Sequence, residues 1–323
     1  MYCPKGRICM IKPEQCERLT RKARKTLEEY GLGNAADLLL SSSRWGIRLD
    51  VSTIDEYRRT GNSRVGGNPD LPGNMKWPLT QDGVPMTFLA QLNLVDLTPY
   101  TPNDGRGSLP ERGMLYFFIG VDEPAYHIEH RVIYEPDAHN LTRREPNGET
   151  ALGEDDFVAH SVTVLPNLEF PTYAYIDSLA LNAIAAPLSG GTIAVEGEEG
   201  LYDRYLEFES SWNHPSTQNW GGMFGYPDGQ HPDAEHQALL QIVLDEEYAY
   251  DEQACEQKLT AHYGGDEKRT QQELADTLLL LKIDTHDAIG FQWWDCGELQ
   301  FFIRKADLLA GRFDQTYCSL YSS

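Results

Sequence analysis

Apolar positions Ile11, Leu19, Ala23, Leu27 and Tyr30 recur near helical spacing, with Arg18, Arg21, Lys22, Arg24 and Lys25 between them. This pattern predicts an amphipathic helix that stops at Gly31, and Asn34 is placed to cap a short second helix reaching Leu40. Trp45, Ile47, Leu49 and Val51 then alternate as a strand does. Ser63–Pro72 and Trp77-Pro78 hold too many prolines for a helix, so this is an ordered, turn-rich segment. Strands are expected over Met86–Leu94, Gly113–Val121 and Val132–Tyr134, with surface loops at Leu97–Arg112 and Ala138–Gly153. Phe157–Phe170 alternates weakly, Asp177–Ala186 reads as a helix ended by Pro187, and the Gly- and Glu-rich Ser189–Gly200 reads as a boundary. Beyond it the pattern predicts strands at Leu239–Leu244, Leu279–Asp284 and Glu298–Ile303, and helices at Asp251–His262 and Arg269–Leu278.

One pattern occurs twice. Gly113-Met114-Leu115-Tyr116-Phe117-Phe118-Ile119 and Gly297-Glu298-Leu299-Gln300-Phe301-Phe302-Ile303 both read G-x-L-x-F-F-I. Each follows an apolar strand with a polar end, Phe88–Asn93 in one case and Leu279–Asp284 in the other. Two strand pairs of one design, half a chain apart, suggest a repeated unit. The expected fold is therefore α+β, with a duplicated, mainly antiparallel core, flanking helices and a helical N-terminal extension over residues 1–62. The main domain is residues 63–323, its halves roughly 63–188 and 201–323.

Charge is uneven along the 323 residues. Residues 1–64 hold 13 Lys and Arg against 8 Asp and Glu, whereas the remainder hold 14 against 42, for a net charge of −23 overall. Such a chain is a poor match for nucleic acid, whose phosphates call for clustered basic residues, and it favours a basic protein partner. The basic first helix reads as a solvated helix whose charge complements the acidic body rather than as a membrane-surface element. No apolar run reaches the ~18 residues of a membrane span, and the first residues lack a secretory signal's apolar stretch, so a cytoplasmic location is expected. The six cysteines have no C-x-x-C spacing and read as free thiols. His127-x-x-His130 and His231-x4-His236 match no metal-ligand pattern, so neither metal nor cofactor is expected.

The segment Gly66-Gly67-x-Pro69-x-Leu71-Pro72-x4-Trp77-Pro78 followed by Phe88–Leu94 resembles the signature of the YwqG-like family of bacterial proteins. Gly113–Phe118, Gly225-Tyr226-Pro227-Asp228-x-Gln230, Leu279–Asp284 and Trp293–Ile303 extend the resemblance in order, from about residue 63 to residue 318. Two positions depart from the family pattern: Trp294 stands where it has glycine, and Lys282 where it has glutamine. The resemblance implies a cytosolic α+β protein and an immunity-like role near bacterial toxin systems, and it supplies no catalytic residues.

Polar side chains inside apolar strands, beside glycines that admit close backbone approach, mark a candidate recess: Gly66, Gly67, Gln91, Asn93, Trp220, Tyr226, Gln230, Asp284 and Asp295. Asp245, Glu246 and Glu247 are the candidates for contact with a basic partner. No nucleophile elbow, P-loop or protease cysteine context is present. This favours a non-enzymatic protein-binding module. The alternative is a small-molecule-binding protein or hydrolase working through acidic strand ends.

Overall fold

The structure, a computed structural model, describes residues 11–101, 109–153, 157–185 and 200–322. In chain order come helices α1 (Pro13–Glu29) and α2 (Ala36–Ser42), then strands β1 (Arg44–Ile54), β2 (Arg64–Val65), β3 (Asp70–Pro72) and β4 (Thr87–Asn93). Helix α3 (Leu94–Leu97) precedes β5 (Met114–Ile119), β6 (His130–Glu135), β7 (Leu141–Arg143) and β8 (His160–Glu169). Then follow α4 (Ser178–Ala185), α5 (Leu201–Asn213), β9 (Asn219–Met223), α6 (Ala234–Leu244), α7 (Glu252–His262) and α8 (Glu267–Ala275). The chain ends with β10 (Thr277–Asp284), β11 (Glu298–Arg304), α9 (Lys305–Leu309) and β12 (Thr316–Tyr321). The fold is α+β. Among the described residues no helix is long and apolar enough to cross a membrane.

Ten strands form one antiparallel sheet in the order β12-β11-β10-β9-β1-β8-β2-β4-β5-β6, and β3 pairs separately with β7. The sheet curls until its two outer strands meet. His130 Nε2 lies 2.9 Å from Thr316 Oγ1, Tyr126 bridges Ser319, and the rings of Phe117 and Phe301 stand 5.3 Å apart edge to face. Curling gives each strand an inner and an outer face, and along β4, β5, β10 and β11 both are covered. Leu115, Phe117 and Ile119 join Leu299, Phe301 and Ile303 in the inner core, while Met114, Tyr116 and Phe118 pack outward. Because alternate side chains enter different cores, β5 is buried throughout and reads as a continuous apolar run.

The two strand pairs carry one register. Phe88 faces Phe118 as Leu279 faces Phe302, and Ala90 faces Phe117 as Leu281 faces Phe301, with the same irregularity between those pairs in both hairpins. Outward from them, Met114 pairs with Glu135 as Glu298 pairs with Tyr321. Inward, Arg64 lies between Gln91 and Ser161 as Gly222 lies between Lys282 and Arg48. At the centre Leu49 faces Val164 and Val51 faces Val162, pairs that exchange under a two-fold relation.

Several expectations change. Leu239–Leu244 is the end of helix α6, not a strand: the consecutive Ala238, Leu239 and Leu240 are all buried, which alternation in a strand does not give, against α7, α8 and the outer face of β10. The segment Arg44–Ile54, placed in the N-terminal extension, is a central strand between β8 and β9. Strand β7 lies within the loop expected at Ala138–Gly153, the α8 helix ends before Thr277, and α5 and β12 were not foreseen. The basic side chains of α1 face solvent rather than the acidic body. Its apolar face, through Ala23 and Leu27, packs with α2, Leu168 and Phe208, and Gly31 closes it at φ 70°. The Ser189–Gly200 boundary, as far as residue 199, lies outside the described residues, as do Cys3 and Cys9. Cys255, Cys296 and Cys318 are free thiols.

Candidate functional site

Outward-facing positions of β10 and β11 carry Lys282, Glu298 and Gln300 where β4 and β5 carry Gln91, Met114 and Tyr116. Polar groups on a buried strand face need partners, and here they come from the end of β8 and the turn after β9. Lys282 Nζ donates to Glu169 Oε1 at the end of β8 (2.9 Å) and to the Tyr226 carbonyl (3.3 Å), and stands 3.6 Å from Glu298 Oε2. Glu298 Oε1 accepts from the Asp228 amide (3.2 Å) and from Gln300 Nε2 (2.8 Å), which also donates to the Asp228 carbonyl (2.7 Å). Glu209, near the end of α5, accepts from Asn213 Nδ2 at 2.7 Å. Gly225 is required here because the Glu169 carboxylate occupies the space a Cβ would take.

Two adjoining recesses, of about 260 and 630 Å³, share His214, Asp228, Cys296, Gly297 and Glu298. Glu209, Tyr173 and Tyr321 line the first, and Asp284 and His286 the second. Acidic groups outnumber basic ones, and their proton affinities follow. Burial, reinforced by Asp228 and Glu169 against the Asn213 hydrogen bond and Lys282, pushes Glu209 up to about 7. Burial also raises Asp228, and holds Glu298 well above the usual carboxylate range despite Lys282. For Lys282 burial acts against the ammonium, but Glu169, Glu298, Asp228 and Asp284 outweigh it and hold the group well above its ordinary value. Glu298 is 3% exposed, yet its Oε2 has no hydrogen bond. Among the described residues no three His, Cys, Asp or Glu side chains converge as metal ligands.

The counterpart centre in the first half is closed. Asp70 Oδ1 accepts from Arg143 Nη2 (2.9 Å), Oδ2 accepts from the Gly61 amide (3.0 Å) and Gln91 Nε2 (3.2 Å), and Arg64 Nη2 stands 3.2 Å away. Gln91 Oε1 accepts the Asp70 amide at 2.7 Å, and Tyr116 donates its hydroxyl to the Asp70 carbonyl at 2.7 Å, as Gln300 Nε2 does to that of Asp228.

The residues singled out from sequence fall in separate places. Gly66 and Gly67, at φ 68° and 63°, turn the chain out of β2, and Gly67 borders a cleft of about 740 Å³ with Tyr57, Trp77 and Phe157. Gln91 and Asn93 hold the first-half centre together, Asn93 donating to the Gly61 carbonyl. Trp220 is buried in the inner core, and Gln230 is exposed. Tyr226 donates its amide to Glu169, and its ring lies under Arg44 at 3.8 Å. Asp284 lines the acidic recess; Asp295 is exposed beyond it, on the loop where Trp294 holds φ 47°, a conformation that favours glycine. Asp245, Glu246 and Glu247 are exposed after α6, with Glu246 paired to Lys258.

Glu169, Glu209, His214, Asp228, Lys282 and Glu298 were not among the expected site residues. One signal pointed to Asp228: Gly67-Asn68-Pro69-Asp70 and Gly225-Tyr226-Pro227-Asp228 are a second echo, G-x-P-D, in structurally equivalent turns. In both turns the residue after glycine donates its amide to a side chain, Asn68 to the Tyr57 hydroxyl and Tyr226 to Glu169. Among curated proteins no match to the chain is found. The model of the family described as domain of unknown function DUF1963 matches residues 63–321, from β2 to the last strand, and the chain belongs to that family.

Proposed function

We propose that this is a cytoplasmic, non-enzymatic protein-binding module that takes a basic partner, with the acidic recess as its docking pocket. The observation that carries this reading is the charge imbalance at the recess, where Glu169, Glu209, Asp228, Asp284 and Glu298 surround Lys282. An acidic pocket set in a body of net charge −23 attracts cations at long range and selects them at contact. The exposed run Asp245–Glu247 adds to the same field. The YwqG-like signature supports an immunity-like role, since an inhibitor of a basic toxin carries the opposite charge. The matching registers support reading the two halves as copies of one unit, the second of which takes its fifth strand from Arg44–Ile54.

The test compares partners captured from the host by the protein with those captured by a variant carrying Asp245→Lys, Glu246→Lys and Glu247→Lys. The reading expects a basic protein that associates more slowly with the variant, at a rate that falls steeply with added salt. Capture that does not differ between the two proteins, or binding indifferent to salt, overturns it. A second reading, proton transfer to a small molecule by Glu209, draws on that group titrating near neutrality in a recess.

A further inference from the structure

Asp70 and Asp228 occupy the same position of the same turn, but their carboxylates meet different fates. Asp70 is fully buried and is neutralised by two guanidinium groups, Arg64 from β2 and Arg143 from β7. In the second half the counterpart of Arg64 is Gly222, and the stem of Lys282, which replaces Gln91, runs past that glycine. Lys282 thus supplies the first cation from the neighbouring strand. The second has no guanidinium counterpart: among the described residues the imidazole of His214 on the recess wall also acts on Asp228, but no group donates a hydrogen bond to the Asp228 carboxylate. Strand β7, which brings Arg143 over the first centre by pairing Arg143 with Asp70, is likewise unmatched, and the recess stands open there.

Resting on the reading of the recess as a docking pocket, we infer that its occupant is a guanidinium group: an arginine side chain of the basic partner, seated on Asp228 and Glu298 in the place that Arg143 holds in the first half. The Glu298 Oε2 left without a hydrogen bond, on a side chain that lines both parts of the recess, becomes an acceptor for such a donor once the arriving guanidinium displaces the proton that burial favours there. The Nδ1 of His286 on the recess wall is an acceptor as well: Nε2 donates to the Thr217 carbonyl, and Nδ1, buried, has no partner. Aromatic rings are at hand as well, although the place of Tyr57 is taken by Glu169. Arg143 lies 3.6 Å over the ring of Tyr57, and the recess offers Tyr173 and Tyr321. A planar fork of donors suits carboxylates on two sides better than the single point of an ammonium does.

The test uses the full chain and three small probes in titration calorimetry: butylguanidine, butylamine and butanol. Butylguanidine is expected to bind about tenfold or more tightly than butylamine, and butanol not at all. Asp228→Asn should weaken butylguanidine by about tenfold or more, with the near-ultraviolet circular dichroism unchanged. Asp284→Asn serves beside it; asparagine is what the first half carries at that position, as Asn93. Butylamine binding as tightly as butylguanidine overturns the guanidinium assignment and leaves a cation pocket. Butylguanidine binding unaffected by both substitutions places the cation elsewhere and overturns the site. If neither cation binds while a basic partner is captured in a salt-dependent way, the pocket is wrong and the basic-partner reading stands. If capture fails as well, both fall.

Discussion

Glu209 shows how one carboxyl group reports on the recess. Its proton affinity is raised from the ordinary 4.5 to about 7, chiefly by burial. Between those values the folded protein keeps a proton that the unfolded chain releases, so this group makes stability fall as pH rises through that window. Above about 7 the cost is complete, and below about 4.5 it is absent. A shift of this size corresponds to at most about 3 kcal/mol. Glu209→Gln keeps an oxygen for the Asn213 amide and removes the ionisation. The variant is therefore expected to gain up to about 2–3 kcal/mol over the parent at pH about 8 and to match it near pH 4, measured by denaturant unfolding at both. An equal gain at both values would mean that packing, not ionisation, is responsible. The sequence held no sign of this group. Glu209 sits in L-E-F-E-S-S, an ordinary helical run, and only the approach of α5 to the end of β10 and β11 desolvates it.

At the scale of elements, Lys282 ties β10 to the end of β8 across two intervening strands, β9 and β1. A buried cation between two carboxylates is costly to break from one side only. Lys282→Gln, which restores the residue found at the equivalent Gln91, leaves Glu169 and Glu298 without it and is expected to cost about 3–5 kcal/mol. Adding Glu169→Gln should recover part of that loss, giving a coupling of about 1–3 kcal/mol in a double-mutant cycle followed by urea unfolding. Strictly additive losses would show that the two groups act independently. What could be read from sequence at this scale follows burial. The strands β4, β5, β10 and β11 announce themselves because the inner face of each is apolar throughout, and their echo reflects a real identity of register. The Leu239–Leu244 run misled because six apolar-rich residues do not distinguish a strand from a buried helix turn. Its helical state is set by packing of Leu239 and Leu240 on Leu259 and Leu274. The recess escaped because its carboxylates come from positions 169, 209, 228, 284 and 298, brought together only when the sheet and α5 assemble.

At the scale of the whole molecule, the two halves share one interior. The inner core draws Leu92, Leu115, Phe117 and Val132 from one half and Ile283, Leu299, Phe301 and Leu320 from the other, with Leu49 of β1 among them. The Phe117 and Phe301 rings meet edge to face where the curled sheet brings equivalent strands together. A core continuous across both hairpins unfolds as a unit, whereas two packed but separate cores open independently. Phe301→Ala removes a fully buried ring and is expected to cost about 3–5 kcal/mol. The informative readout is where the protection is lost. Native-state hydrogen exchange of the variant should accelerate in β4 and β5 as much as in β10 and β11, because the slowest amides of both hairpins exchange through the same global opening. Phe117→Ala should give the same distribution from the other side. Loss confined to the hairpin that carries the substitution would show that each half keeps its own core, and that the ring contact joins two units able to stand apart.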